Sequence, residues 1–300
     1  MNKGILTIAY GGYIYIRRAK ALARSLRIYG IDVFLAIVTD CNNSDFDKLY
    51  DIVIPLNPKY GEGYEQKLYL DQYSPFTQTL YLDSDCLVVK NIDFVWEAFS
   101  QSSFGVVGSL KTQGSAFSGS IPDISKIINN FDLEHLPIFN GCCYFFKQDE
   151  QAHKIFNEAR ILIRQYDELG LSLLNNKIND EPIFSIVLGL NTIKPIADPN
   201  GYIVRTAAQD MRWLEIDVLQ GICKFYHKNK LQEPVIVHLC CDFSLFKYAR
   251  ERFKLLLFEK FPAVRKTMIS TFCNLIFSFL YISKALNLYL SFFLSNRQID

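Results

Sequence analysis

Residues 81–89 read Tyr81-Leu82-Asp83-Ser84-Asp85-Cys86-Leu87-Val88-Val89. Two carboxylates flank one small residue, and apolar runs flank both. Thr79 to Leu82 predicts a buried strand that delivers Asp83 and Asp85 to its exposed end. Carboxylates at i and i+2 share a face if the chain stays extended, or converge across a turn. Two hard oxygen ligands suit Mg²⁺ or Mn²⁺. Buried carboxylates without a counter-charge are costly, so a cation is their natural partner. The plain alternative is a surface turn in which Asp supplies local hydrogen bonds.

Upstream, strand and helix signals alternate. Gly4 to Tyr10 is a short apolar run. Ala19, Leu22, Ala23 and Leu26 recur at helical spacing, with Gly30 as the helix end. Val33 to Val38 predicts a second strand, Asp51 to Ile54 a third closed by Pro55, and residues 62–73 a helix. This rhythm implies a parallel sheet with helices on its faces. In such sheets ligands gather at the carboxyl ends of the strands.

Downstream, Phe104 to Val107 is another apolar run. Gly108 to Ser120, rich in Gly, Ser and Thr, is long for a structureless connection and reads as a disordered or an active-site loop. Ile138 to Phe146 is apolar and aromatic, with Asn140-Gly141 in its middle. Residues 149–168 and 179–190 predict helices, and Val235 to His238 predicts a last buried strand. There are no internal repeats.

The 300 residues, half of them apolar, can build one large α/β domain, or a domain with an appendage. A formal net charge of +1 gives no strong field for nucleic acid. The basic clusters Arg17-Arg18-Ala19-Lys20 and Lys247 to Lys254 read as solvated helix faces. The eight cysteines include the adjacent pairs Cys142-Cys143 and Cys240-Cys241 but no Cys-x-x-Cys, which argues against a zinc ribbon. The apolar stretch Ile5 to Tyr10 is too short for a secretory signal. Reduced thiols and a cytoplasmic active site are therefore expected.

The C-terminal segment differs in kind. From Thr267 to Ser295 only Lys284 is charged, with Arg265-Lys266 before and Arg297 after. Such a segment is long enough to span a bilayer, which needs ~20 apolar residues, or to lie in the membrane interface. Alternatively it forms a helical pair packed on the domain or on a second subunit. The expected division is an α/β domain over 1–245 and a helical, hydrophobic extension over 246–300. Association with the cytoplasmic face of a membrane and a homodimer are both open at this point.

Several segments together resemble, in order, those of the glycogenin-like GT-A glycosyltransferases, glycosyltransferase family 8. Thr7-Ile8-Ala9-Tyr10 with Tyr13 resembles the first strand and loop. Lys67-Leu68-Tyr69 precedes Asp83-Ser84-Asp85 at the family's spacing. Phe139-Asn140-Gly141 resembles the Phe-Asn-(Ser/Ala)-Gly strand with one small residue missing. Asn179-Asp180-Glu181 resembles the Asp-Gln pair, with Glu in place of Gln. Val235-Ile236-Val237-His238 resembles the late strand ending in a metal-binding His. The likeness covers roughly residues 4–240. One departure is marked. The family follows its His with Gly and then Lys-Pro-Trp, whereas His238 is followed by Leu239-Cys240-Cys241-Asp242, and Lys247 comes further on.

The resemblance implies a GT-A fold: a single mixed, mostly parallel sheet flanked by helices. It implies a UDP-sugar donor, a Mn²⁺ or Mg²⁺ ion and retaining transfer to a glycan or lipid-linked acceptor. Thr7, Ala9, Tyr10 and Tyr13 would cradle the nucleotide. Asp83, Asp85 and His238 would hold the metal, with Ser84 between. Lys67, Gly141 and Lys247 would complete the donor site, and Asn140 and Asp180 would orient sugar and acceptor hydroxyls. Plain alternatives stand beside these roles: a core histidine for His238, a solvated helix lysine for Lys67 and an N-cap for Asp180. His135, His153 and His227 show no convincing carboxylate or Cys neighbours in sequence and read as structural or surface residues. Two other functions remain open, a nucleotidyltransferase of similar layout and a non-catalytic cation-binding scaffold. Against the nucleotidyltransferase, Gly11-Gly12 lead into Tyr13-Ile14-Tyr15 rather than a basic Gly-rich loop.

Overall fold

The computed structural model describes residues 2–29, 32–207, 212–227, 229–240 and 245–295. Gly30, Cys241, Asp242 and Arg297 lie outside the described residues. The chain begins with β1 (Lys3–Ile8), α1 (Tyr13–Ile28), β2 (Phe34–Thr39), α2 (Phe46–Leu49) and β3 (Ile52–Pro55). The segment expected as one helix over 62–73 is a 3₁₀ turn over Gly63–Tyr69 that runs into α3 (Leu70–Tyr73). Then come β4 (Gln78–Leu82), β5 (Cys86–Val88), α4 (Asp93–Phe99), β6 (Phe104–Gly105) and β7 (Val107–Lys111).

The Gly/Ser-rich loop is thus partly strand, and its end is ordered, with Ser120 buried. After α5 (Ile124–Phe131), the single apolar run of the sequence splits at Asn140-Gly141 into β8 (Leu136–Phe139) and β9 (Cys143–Lys147). Helices α6 (Glu150–Leu162) and α7 (Asp180–Leu190) follow, then β10 (Ile196–Ala197) and β11 (Val204–Thr206). The meander β12 (Arg212–Asp217), β13 (Ile222–His227) and β14 (Lys230–Gln232) had no counterpart in the sequence reading. Last come β15 (Ile236–His238), α8 (Leu245–Lys260) and α9 (Lys266–Ser295).

The main sheet has the order β3-β2-β1-β4-β9-β6. Its β3-β2-β1-β4 part is parallel, while β9 runs antiparallel to both β4 and β6. Among the described residues, three smaller three-stranded sheets stand beside it. The period of two divides the sheet's side chains between two cores. Leu6, Tyr81, Tyr144 and Phe146 pack on one face. Ile5, Leu80, Leu82, Cys143 and Phe145 pack on the other, where Ala19, Leu22, Ala23 and Leu26 of α1 close over them.

A third core ties the C-terminal helices down. It joins Ala21 of α1, Leu87, Val89 and Val237 to Tyr248, Leu255, Ile269 and Cys273 of α8 and α9. At its edge Lys254 Nζ meets Asp217 Oδ2 at 2.8 Å and Glu251 Oε1 at 3.0 Å. Ser270 Oγ donates to Asp217 Oδ1 at 2.8 Å. Lys254 and Glu251 are both fully buried, so this basic cluster is not the solvated face expected of it. Buried ions persist only when paired and hydrogen-bonded. Further along, Arg24 Nη2 meets Glu259 Oε2 at 2.8 Å, and Tyr248 Oη donates to the Arg18 carbonyl at 3.5 Å, so α8 holds α1 across the whole sequence. Among the described residues no helix is long and apolar enough to cross a membrane.

Candidate metal and donor site

The triplet sits where β4 leaves the sheet, at the carboxyl end of its parallel strands. The Cys86 N–H donates to the Asp83 carbonyl at 3.0 Å, so Asp83 to Cys86 form a tight turn and β5 departs in a new direction. β15 pairs antiparallel with β5 and sets His238 opposite Cys86. That register brings a residue from late in the chain beside Asp85. One ligand atom each from Asp83, Asp85 and His238 lies within 4.8 Å of the others.

Every carboxylate here has its own cation or hydroxyl. Lys67, 7% exposed, places Nζ 2.9 Å from Asp83 Oδ1 and donates to the Gly141 carbonyl at 2.9 Å. Tyr81 Oη donates to Asp83 Oδ1 at 2.6 Å. Burial works against the Lys67 ammonium, yet Asp180 and Asp83 carry its pKa above the ordinary lysine range. The solvated-helix alternative for Lys67 is thereby set aside.

Asp85 meets Arg18 Nη1 at 3.2 Å on Oδ2 and His238 Nε2 at 3.1 Å on Oδ1. Burial opposes the Asp85 charge, but His238 and Arg18 outweigh it and hold the carboxyl below its usual range. His238 Nδ1 lies 3.1 Å from Thr206 Oγ1 on β11. Burial would lower its pKa, but Cys142 and Asp85 raise it well above the ordinary histidine value. The partner of His238 is therefore a carboxylate and not a backbone carbonyl.

Beyond Lys67 lies a second acidic pair. Asn179 caps α7 through Oδ1, which accepts from the Glu181 N–H at 3.2 Å. The cap is therefore Asn179, and Asp180 is left to point inward, 1% exposed, where Tyr144 Oη donates to its Oδ2 at 2.5 Å. Burial raises the Asp180 pKa and Lys67 opposes it. Glu181 Oε1 accepts from the Gly141 N–H at 2.6 Å. Burial, then Asp180, push the Glu181 carboxyl up to about 7. Gly141 is squeezed among them: a Cβ there would lie 2.7 Å from Tyr144 Oη and 3.0 Å from Glu181 Cγ.

The remaining predicted residues fall in three places. Ser84 is buried within the triplet turn. Asn140 is exposed at the β8–β9 break, its Oδ1 accepting from the Cys142 N–H at 3.0 Å. Ala9 and Thr7 are buried on β1 and just beyond it, and Thr7 Oγ1 has no partner among the described residues. Tyr10 Oη donates to the Gly63 carbonyl at 3.1 Å, and Tyr13 stands exposed at the start of α1 beside the Arg17 guanidinium. Lys247 is not gathered with the others; its ammonium is bound to the Leu214 carbonyl on β12. His153, without a visible partner in sequence, binds Asp71 at 3.2 Å, and Arg160 completes that clamp at 2.7 Å.

Arg18, Tyr81, Tyr144 and Thr206 were not singled out from sequence. Arg18 was visible only as part of a basic cluster taken for a solvated face, yet its side chain is 12% exposed. Tyr81 carried a usable signal, since i and i+2 on one strand share a face with Asp83.

The donor set of two carboxylates and one imidazole, at the strand end, fits a hard divalent ion. A galactosyltransferase, LgtC, solved with donor and acceptor sugar analogues, superposes on this chain with a TM-score of 0.52 at 14% identity, covering 84% of this chain and 94% of that one. An active-site Gln→Glu variant of LgtC gives a TM-score of 0.53 at 14% identity, over 84% and 95% of the two chains.

The fold is GT-A.

In sequence, the chain is 29% identical over 122 residues to a UDP-glucuronate:xylan alpha-glucuronosyltransferase of Arabidopsis thaliana, a match over 36% of this chain. It spans only 18% of that relative's length. No family model matches the chain. The carboxyl end of the parallel strands is where a ligand is expected in such a sheet, and Asp83, Asp85 and His238 come together there.

Proposed function

We propose that the protein is a metal-dependent glycosyltransferase of the glycogenin-like, family-8 type. It would move a sugar from a UDP-sugar to a hydroxyl of a glycan or lipid-linked acceptor, with retention. The observation that carries this is the convergence of Asp83, Asp85 and His238 within 4.8 Å at the strand end of a GT-A fold. The UDP donor is supported by the likeness to the plant UDP-glucuronate:xylan alpha-glucuronosyltransferase.

In this proposal Asp83 and Asp85 give carboxylate oxygens and His238 gives Nε2 to a Mn²⁺ or Mg²⁺ ion. Thr206, on Nδ1, fixes the ring. When bound, the ion supplies Lewis-acid neutralisation of charge on the leaving diphosphate. Arg18 is the cation beside Asp85 and takes the diphosphate-facing role, because Lys247 is engaged on Leu214. Lys67 offsets the charge of Asp83 and of the Asp180–Glu181 pair. Tyr10 and Tyr13 flank the nucleotide. Asp180, fixed by Tyr144, and Asn140 orient hydroxyls of the reacting sugars.

The test is UDP release measured across a panel of UDP-sugars, with and without Mn²⁺, for wild type, Asp83→Asn and Asp85→Asn. Asn is preferred to Ala because Asp85 also anchors Arg18 and His238. Both variants should lose turnover while still melting cooperatively, at a temperature lowered by the loss of one charge from a largely buried pair. Full Mn²⁺-dependent turnover in both would refute the metal assignment. Failure of wild type to bind UDP with Mn²⁺ present would leave a cation-binding scaffold instead. Retention is checked by NMR of the product's anomeric proton.

A further inference from the structure

Among its described side chains, α9 has two apolar faces, and one of them is covered while the other is exposed. Ile269, Ser270 and Cys273 are buried against α8 and the third core. On another side, Met268 is 61% exposed, Phe272 54%, Leu275 67% and Phe279 73%. At about 100° per residue these four fall within an arc of roughly 60°, a continuous stripe along the helix. Thr267, Thr271 and Ser278 are exposed beside them and form a polar border. The stripe continues at the α8–α9 corner through Phe261 and Val264, 54% and 37% exposed.

Along the chain from Lys260 to Ser295 the charge has one sign, and Glu259 just before it is paired with Arg24. From Lys260 to Ser295 the chain carries Lys260, Arg265, Lys266 and Lys284 and no Asp or Glu. Lys260 and Arg265 are exposed at the same corner as Phe261 and Val264. Aromatic and aliphatic side chains flanked by basic residues match a surface whose headgroups are anionic and whose interior is apolar. A second copy fits less well. In an isologous dimer the patch would meet itself and set these cations against their own kind. The stripe runs along the helix axis, so its contact lies in the plane of the surface.

We propose that the Met268-Phe272-Leu275-Phe279 stripe, with Phe261, Lys260 and Arg265 at its start, docks the protein flat on an anionic lipid bilayer. This does not depend on the sugar-transfer proposal and would hold for any chemistry at Asp83–Asp85.

The experiment is co-sedimentation of the full chain with vesicles of phosphatidylcholine alone, or mixed with about one-third phosphatidylglycerol. Binding at least about tenfold tighter to the anionic vesicles, weakened by added salt, is expected. Phe272→Ser with Phe279→Ser should abolish binding while leaving the melting temperature and donor-site activity unchanged, because both side chains are exposed. Arg265→Glu should reduce binding to anionic vesicles alone. The inference is overturned by absence of vesicle binding in wild type, by equal binding to neutral vesicles, or by full binding of the double variant. It is also overturned if light scattering shows a dimer that the double variant dissolves, which would make a second copy the occupant.

Discussion

Lys67→Met tests the charge arrangement most directly. The methionine keeps the length and apolar stem of the lysine and deletes the ammonium. Asp83 then retains Tyr81, and Asp180 retains Tyr144, but the Gly141 carbonyl loses its donor and the acidic pair loses its nearest cation. Removing one partner of a buried ion pair costs about 3–5 kcal/mol. Asp83 is 21% exposed on its side chain, which favours the lower end. For 300 residues, an unfolding entropy of about 2.1 cal/mol/K per residue gives about 0.6 kcal/mol/K. A loss of about 3 kcal/mol therefore lowers the melting temperature by about 5 °C.

The loss should depend on pH, and its sign is fixed. Lys67 is the largest influence lowering the Asp180 pKa, so without it that carboxyl, already raised by burial, rises further. A carboxyl that binds its proton more tightly folded than unfolded makes stability fall as pH rises from the unfolded pKa through the folded one. The deficit against wild type should thus be small near pH ~5 and grow toward pH ~8. Melts of both proteins by circular dichroism at the two pH values decide it. A deficit under about 1 °C, or one equal at both ends, would refute the reasoning.

Glu181→Gln should raise stability above neutrality but not near pH ~4, because it removes a carboxyl raised to about 7 whose ionisation in the folded state is unfavourable. In the same variant, a decline of wild-type kcat/KM on passing pH ~7 should flatten, which a pH–rate profile reads. Tyr144→Phe strips the hydrogen bond from a buried carboxyl, at about 1.5–3 kcal/mol. It should lower kcat with little change in Mn²⁺ affinity, which steady-state kinetics and calorimetry separate. Gly141→Ala forces a methyl against Tyr144 Oη and Glu181 Cγ, and should cost both stability and donor binding in a thermal-shift titration. Lys254→Met leaves Asp217 without its lysine and Glu251 with Arg250 as its remaining cation, at about 3–5 kcal/mol by urea denaturation, although it touches no candidate site residue.

Much of the fold was legible because its parallel strands are buried on both faces and read as unbroken apolar runs, from Gly4 to Tyr10 through Val235 to His238. The turn holding Asp83 and Asp85 was legible for the same reason: two charges interrupt such a run. The β12–β14 meander was not, because its buried residues, Leu214, Ile216, Cys223 and Phe225, alternate with polar or exposed ones and form no unbroken apolar run. The double role of Asn140-Gly141, breaking a strand and admitting Tyr144 and Glu181, showed only as an Asn-Gly in an apolar run. Charge was the hardest quantity to read. Lys254 and Arg18 look like any surface base until Asp217 and Asp85, from distant parts of the chain, are seen against them. His238 was placed by resemblance, and its register opposite Cys86 is what physically explains it.

The grip of α8 on α1 also bears on how the molecule is made. Arg18 is aimed at Asp85 by a helix whose outer face waits for residues 230 and 235 positions later, the Tyr248 hydroxyl and the Glu259 carboxylate. At synthesis rates of about 5–20 residues per second, that interval is roughly 12–46 s. Over its last part, once β9 (Cys143–Lys147) has completed the main sheet, a nascent chain holds that strand order with the α8-facing side of α1 still uncovered. A molecular chaperone meeting the ribosome-bound chain would find that side, with Ala21 and Ile28, before β15 brings His238 to the cation site.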